Sequence, residues 1–428
     1  MYTRISEFLE KYQLLSESQF GFRSKRSCVD AIASIVERIR SDHSNTDYTC
    51  IFLDLQKAFD TVEHPRLLHK ISKIGIRGNA LRWLESYLDC RTQVVSVNGH
   101  SSVTRKMKYG VPQGSILGPL LFIIYMNDID AVCKVTRPTL FADDANILIT
   151  QKKPIMEETE TKKEVQDIDG WIKVNKLSLN VPKTHCMPFK KKNRCENFAM
   201  GSELIQISDI VKYLGILIDR NLKFQDHVEY LLKKLGKHIG VMSRLRHFVS
   251  KSVLLKYYNF YVKPVLQYGL LIYGGNTFAN LEKLNVYQRK LIRLILFKKK
   301  TANVDQDLIT HDILSVTQLY FYELIKFVLR SVRGDLPCEF LNKLYTRANS
   351  RETRMQTAQK YILPIGRNNW DKFSLKTRGT KMLNFLIDQD LLPGNLWDLS
   401  PDELNIEIHK LKDFLKLVPD ENLRTILP

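Results

Sequence analysis

The chain has 428 residues, with 65 Lys and Arg against 46 Asp and Glu, a net charge of +19, and 44% hydrophobic residues, enough apolar material for a core in two or three domains. The cationic surplus favours polyanions as partners, nucleic acid first and a membrane surface second. No apolar run approaches the ~18 residues of a spanning helix, and the polar, acidic N-terminus does not suit a secretory signal, so the expectation is a soluble intracellular protein of nucleus or cytoplasm with no membrane partner.

Seven cysteines, Cys28, Cys50, Cys90, Cys133, Cys186, Cys195 and Cys338, are odd in number and never spaced C-x-x-C. They read as thiols, neither a disulfide framework nor a zinc site. Residues 1–12 read as a helix with Ile5, Phe8, Leu9 and Tyr12 on one side. In residues 18–26, aromatics and glycine interleave with Arg23, Lys25 and Arg26. That run is either a solvated loop or the place where Arg23, flanked by Phe20 and Phe22, forks a nucleotide triphosphate. Ser27 then caps a helix in which Ala31, Ile32, Ile35, Val36 and Ile39 keep the 3.6-residue period.

An apolar run over 48–53 predicts a strand that ends at Asp54, where the chain turns into a helix. Phe59, five residues on, is either a core aromatic or a ring facing a nucleotide sugar, and Asp60 is either a further acid near the site or, the preferred reading, a first-turn helix acid. Helices follow over 66–73 and 80–89, then a strand over 94–97 that enters Asn98-Gly99, a strong hairpin cue. Residues 108–119 hold Gly110, Gly114, Gly118 and two prolines ahead of an apolar helix over 120–129. Such a turn either lets backbone approach a ligand closely, at Gly114, or is an ordinary loop-to-helix junction. Gln113 beside it has the reach to touch a sugar or a template base.

In residues 139–149, apolar runs flank Asp143-Asp144, which predicts a tight hairpin with both acids at its tip. Alone, such a pair is more often a solvated turn. Asp54, at the end of another strand, changes the weighting. Three carboxylates drawn together by a sheet could hold two divalent cations ~3.5–4 Å apart over a transferring phosphoryl group, the chemistry of a nucleotide polymerase. Hard oxygen ligands select Mg2+, two ions, with Mn2+ as substitute.

Residues 156–176 form a charged amphipathic helix with Val165, Ile168, Trp171, Ile172 and Asn175 near one face. In the strand and turn over 177–184, Lys183 either serves departing pyrophosphate or is a solvated turn lysine. A strand pair covers 211–219, and from Asp226 helices dominate. Val228, Leu231, Leu232, Leu235, Ile239 and Met242 trace a stripe, with Lys233, Lys234, Lys237, His238, Arg244, Arg246 and His247 mostly away from it. That basic face either tracks phosphates or is merely solvated. After Lys298-Lys299-Lys300 the composition shifts, and a helical region follows with Leu314, Leu319, Tyr322, Leu324 and Phe327 suggesting one buried face.

Taken in order, Gln-Phe-Gly-Phe-Arg at 19–23, Leu-Asp-Leu-Gln-Lys-Ala-Phe-Asp at 53–60, Gly-Val-Pro-Gln-Gly-Ser-Ile-Leu-Gly-Pro at 110–119, Phe-Ala-Asp-Asp at 141–144, Leu-Asn-Val-Pro-Lys-Thr at 179–184 and Tyr-Leu-Gly-Ile at 213–216 resemble the successive blocks of reverse transcriptases of non-LTR (LINE-type, jockey-like) retrotransposons. The resemblance implies an α+β, right-hand polymerase fold. Partial fingers would span 1–48, a palm with inserted fingers elements 49–220, a helical thumb-like region 221–300 and a further helical region 301–428. It also implies catalytic, metal-binding Asp54, Asp143 and Asp144, a sugar-gating Phe59, a nucleotide-side Gln113, and RNA template, DNA primer and deoxynucleoside triphosphates as partners. The chain opens just before the family's second fingers block, so a truncated piece of such an element is expected, with any endonuclease supplied separately. The competing reading is a non-catalytic nucleic-acid-binding protein that keeps the polymerase fold. An RNA-templated RNA polymerase fits less well, because a bulky Phe59 should clash with ribose.

Overall fold

The computed structural model describes residues 1–41, 46–89, 91–151, 156–189, 198–345, 361–363, 371–392 and 400–427. Cys90 and Cys195 lie outside the described residues, and the other five cysteines are thiols. The chain divides into two compact units, Met1–Ala31 with Asn45–Leu214, and Ile32–Ser44 with Gly215–Pro428. Strand and helix are mixed in the α+β manner expected.

The first unit opens with α1 (Tyr2–Lys11) and the start of α2 (Cys28–Arg40), whose Asp30 N–H donates to the Ser27 hydroxyl at 3.1 Å, the predicted cap. Strand β1 (Asp47–Leu53) follows, then α3 (His64–Lys73) and α4 (Gly78–Leu88). Two short ribbons, β2 (Thr92–Gln93) with β5 (Arg105–Lys106) and β3 (Ser96–Val97) with β4 (His100–Ser101), carry the Asn98-Gly99 turn. Next come α5 (Leu117–Met126), β6 (Arg137–Phe141), β7 (Asp144–Gln151), α6 (Met156–Val174), β8 (His185–Phe189), β9 (Phe198–Met200), β10 (Glu203–Ile207) and β11 (Ile210–Tyr213).

Six of these strands form one sheet in the order β6-β7-β1-β8-β10-β9, antiparallel except between β8 and β10. After its first residue β1 is buried throughout, which a strand achieves only when both faces are covered. On one face Ile51 and Leu53 alternate with Ile147 and Ile149 of β7 into a core shared with α5 and α6. On the other, the Phe52 ring lies 5.4 Å from that of Tyr213. Helix α5 is apolar at nearly every position and buried on all sides, as a helix without a polar face must be.

In the second unit, the Asp219 carboxylate accepts from the N–H groups of Asn221, Lys223 and Phe224 and shapes the turn into α7 (Gln225–Leu245). That helix buries Val228, Leu231, Leu235 and Met242 and exposes Lys233, Lys234, Lys237 and Arg244. The helix Val316–Val332, started by a Ser315–Gln318 capping box, is buried along most of its length among the helices Phe278–Ile295, Leu375–Asp388, Pro401–Leu417 and Asp420–Ile426. Buried Glu37 caps Leu375–Asp388 by accepting from Leu375 N at 2.7 Å and Lys376 N at 2.9 Å. No helix among the described residues is long and apolar enough to cross a membrane.

Candidate active site

The β6–β7 hairpin turns through two residues, because Phe141 already pairs with Asp144. Asp143 therefore stands at the tip while Asp144 opens the strand, one position further in than the sequence suggests. Ala142, the first loop residue, has φ +57°, a left-handed conformation that costs an L-residue about 1–2 kcal/mol and that such hairpins usually give to glycine.

Asp54 follows the last residue of β1. The β1–β7 ladder ends with Leu53 facing Ala145, so Asp54 and Asp144 each adjoin its last rung. Asn180 fixes this strand end twice, donating from its backbone N–H to Asp54 O at 2.8 Å and from Nδ2 to Asp54 Oδ2 at 2.6 Å. The Asp54 N–H in turn donates to the Thr184 hydroxyl at 3.3 Å.

The charge of Asp54 reaches both acids of the hairpin. Partial burial and then the charge of Asp54 raise Asp143, against a backbone hydrogen bond that lowers it. Asp144 is exposed as a whole residue, yet protein atoms crowd its carboxyl group. That desolvation, followed by the charges of Asp143 and Asp54, pushes it up to about 6. Carboxylates desolvated and set near like charge would be relieved by a cation, and an all-oxygen donor set suits a hard divalent one. They do not form a closed cage: among the described residues no three His, Cys, Asp or Glu side chains are arranged to hold an ion unaided. Substrate phosphates and water would have to complete the coordination.

A cleft of about 420 Å3 opens beside Asp143 and brings together Phe22, Lys57, Phe59, Gln113 and Gly114. Half-buried Phe59 stacks on buried Phe122 of α5, ring centroids 4.4 Å apart, so it packs on the core and borders the cleft at once. The 110–119 loop is fastened beneath it by Val111 N donating to Phe59 O and Gly110 N to Val62 O, both at 2.8 Å. Gln113 Nε2 donates to Asp60 Oδ1 at 2.9 Å, which gives Asp60 a positioning contact. Gly114, at φ +79°, has no atom within 4 Å of where a Cβ would stand, so its backbone lies open to approach.

Of the site residues singled out in the sequence, Asp54 and Asp144 lie beyond the lining of this cleft, and so do Arg23 and Lys183. Arg23 forks Glu10, Nε and Nη2 donating to its two carboxylate oxygens at 2.9 and 2.7 Å, while Nη1 donates to Ser16 O at 2.6 Å. Its side chain is 6% exposed, and the hydrogen bond and charge of the guanidinium hold the Glu10 acid below its ordinary value. The guanidinium is thus engaged with α1, and a triphosphate would have to displace Glu10 to reach it. Lys183 is exposed at the end of the short turn Val181–Lys183. Asn180 and Lys57 carry contacts that sequence reasoning passed over. Both stand inside recognisable blocks, but no period or spacing distinguishes them from their neighbours.

A family model described as reverse transcriptase (RNA-dependent DNA polymerase) matches residues 1–218. The chain is similar to the RNA-directed DNA polymerase from mobile element jockey of Drosophila melanogaster, 30% identical over 306 residues, which are 68% of this chain and 33% of that protein. It is also similar to the probable RNA-directed DNA polymerase from transposon X-element of Drosophila melanogaster, with the same 30% identity over 306 residues and the same shares of 68% and 33%. The chain thus spans about a third of the length of these relatives. Among solved structures, apo telomerase from Candida tropicalis aligns over 99% of this chain and 60% of its own, at 12% identity and a TM-score of 0.39.

Proposed function

Because the chain belongs to the reverse transcriptase family, we propose that it copies RNA into DNA by transferring a nucleotide from a deoxynucleoside triphosphate to a primer 3′-hydroxyl. The observation that carries this reading is the approach of Asp54, at the end of β1, to Asp143 and Asp144 of the β6–β7 hairpin, close enough for its charge to bear on both and beside a cleft. We assign residues 1–48 to partial fingers, 49–220 to the palm with inserted fingers elements, 221–300 to a thumb-like region and 301–428 to a further helical region. RNA template, DNA primer and an intracellular setting belong to the same proposal.

The three carboxylates would hold two Mg2+ ions. When bound, such a pair lowers the pKa of the attacking hydroxyl and neutralises charge on the leaving pyrophosphate. The residues of the chain do the positioning, which is most of what phosphoryl transfer asks of a protein. Asn180 turns the Asp54 carboxylate by its 2.6 Å hydrogen bond. Phe59, packed on Phe122 and bordering the cleft, would meet the sugar, where bulk excludes a 2′-hydroxyl. Gln113, held by Asp60, reaches toward the sugar or the templating base, and Gly114 lets the backbone come close. Lys57, exposed in the cleft, supplies a cation for the triphosphate.

The test is primer extension on poly(rA)·oligo(dT) with Mg2+. Asp143→Asn should abolish extension and leave hybrid binding within a few-fold, since a metal ligand is lost and the basic surface is kept. Parallel loss of binding and extension would mean that the hairpin is a structural turn. Wild-type binding with no extension would favour the scaffold reading.

A further inference from the structure

The segment Gln19-Phe20-Gly21 lies against the turn that carries Asp143. Phe20 N donates to Leu140 O at 2.7 Å and Leu140 N to Ser18 O at 2.8 Å, so this stretch runs along β6 as an added edge. The Gln19 side chain is fully buried. Its Oε1 accepts from Gly21 N at 2.9 Å and from Ala142 N at 3.2 Å. Gly21 permits the approach, because a Cβ there would stand 2.6 Å from Ala142 N and 3.0 Å from Phe141 C. Among the described residues Gln19 Nε2 has no partner. Burying an unpaired donor is unfavourable, and a methionine of similar volume would avoid it. The amide therefore makes physical sense for its oxygen, which takes up the N–H of a strained alanine.

We propose that Gln19 is a positioning residue: by holding the Ala142 N–H it keeps the turn in its left-handed conformation and so sets where Asp143 and Asp144 stand. The inference rests on the reading of those acids as the metal-holding groups. Ala142 at φ +57° relaxes toward a right-handed or extended conformation once its N–H is released, and the adjoining Asp143 moves with it. Displacement of a catalytic group by about 1 Å can cost on the order of a hundredfold in rate.

The test compares Gln19→Met, which keeps volume and removes the acceptor, with Gln19→Glu, which keeps an acceptor, in the full chain below its melting temperature. In Gln19→Met the Ala142 amide should exchange with deuterium about tenfold faster or more. Its kcat should fall about ten- to a hundredfold, and half-saturating Mg2+ should rise several-fold, while the KM for deoxynucleotide and the hybrid Kd stay within about twofold. Gln19→Glu should retain slow exchange and most of kcat. Wild-type exchange in Gln19→Met overturns the proposal. So does a lower melting temperature with kcat per folded molecule and Mg2+ dependence unchanged. If Gln19→Met does not fold, fast exchange at Ala142 in Gln19→Glu overturns it and slow exchange upholds it. A wild-type chain that extends no primer would defeat the proposed function, and the exchange comparison would still decide whether Gln19 holds the turn.

Discussion

At the scale of single residues, Asp144 is an acid of the site whose surroundings resist its charge. Its acid stands at about 6 in the folded chain against an ordinary 3.8. A raised acid contributes stability that is fully present below the unfolded value and is lost as pH rises through the folded one. At pH 7.5 without divalent ions, Asp144→Asn should therefore melt at a higher temperature than the wild type, and the gap should close as pH falls toward 4. Added Mg2+ should raise the wild-type melting point more than that of the variant, and calorimetry with and without the ion checks both arms. Phe59 makes a different demand. Phe59→Ala should raise ribonucleotide relative to deoxyribonucleotide incorporation if the ring guards the sugar. An unchanged ratio with a loss of roughly 3–5 kcal/mol of stability would mean that it only fills the core against Phe122. The three acids were legible because apolar strands flank them in the sequence. The partners of Arg23 were not, since Glu10 lies thirteen positions back on another element. Asn180 meets Asp54 across 126 positions, with no pattern to announce it.

Among the elements, the 110–119 loop is closely fitted to its neighbours. Gly110, at φ +87°, would place a Cβ 2.9 Å from Asp60 O, whereas Gly99, at φ +81°, has nothing within 4 Å of that point. Both alanine variants carry backbone strain of about 1–3 kcal/mol, but only Gly110→Ala also pushes the loop off Asp60, and with it Gln113. Denaturation should find both variants less stable and Gly110→Ala more so. Steady-state kinetics should find the KM for nucleotide raised in Gly110→Ala alone. Periodicity foretold α7, which has two unlike faces, but not that α2 buries Asp30, Ser34, Glu37 and Arg40 along with its apolar stripe. It understated the helix Val316–Val332, whose burial extends well beyond the single face suggested by Leu319, Leu324 and Phe327. It could not foretell the capping of the Leu375–Asp388 helix by Glu37, a contact between residues 338 positions apart.

For the whole molecule, the net charge of +19 and the exposed lysines of α7 make binding to an RNA–DNA hybrid a salt-dependent event. Its log K should fall about linearly with log salt, with a slope of about −0.9 per phosphate neutralised by analogy with duplex DNA, and replacing Lys233, Lys234 and Lys237 with alanine should flatten that slope. Salt-independent binding would remove the polyanion reading. The antiparallel ladder joining β1 to β7, from Asp47 opposite Gln151 to Leu53 opposite Ala145, has another consequence. It works as a ruler: one residue added or deleted within either strand exchanges inward for outward side chains beyond that point and carries an acid to the wrong rung. The exposed Asn98-Gly99 turn can lengthen without disturbing a single rung. Chains built on this plan can therefore change their spelling freely in many places and their length in some, but between residues 47 and 54, and again between 143 and 151, the counting of residues is itself part of the active site.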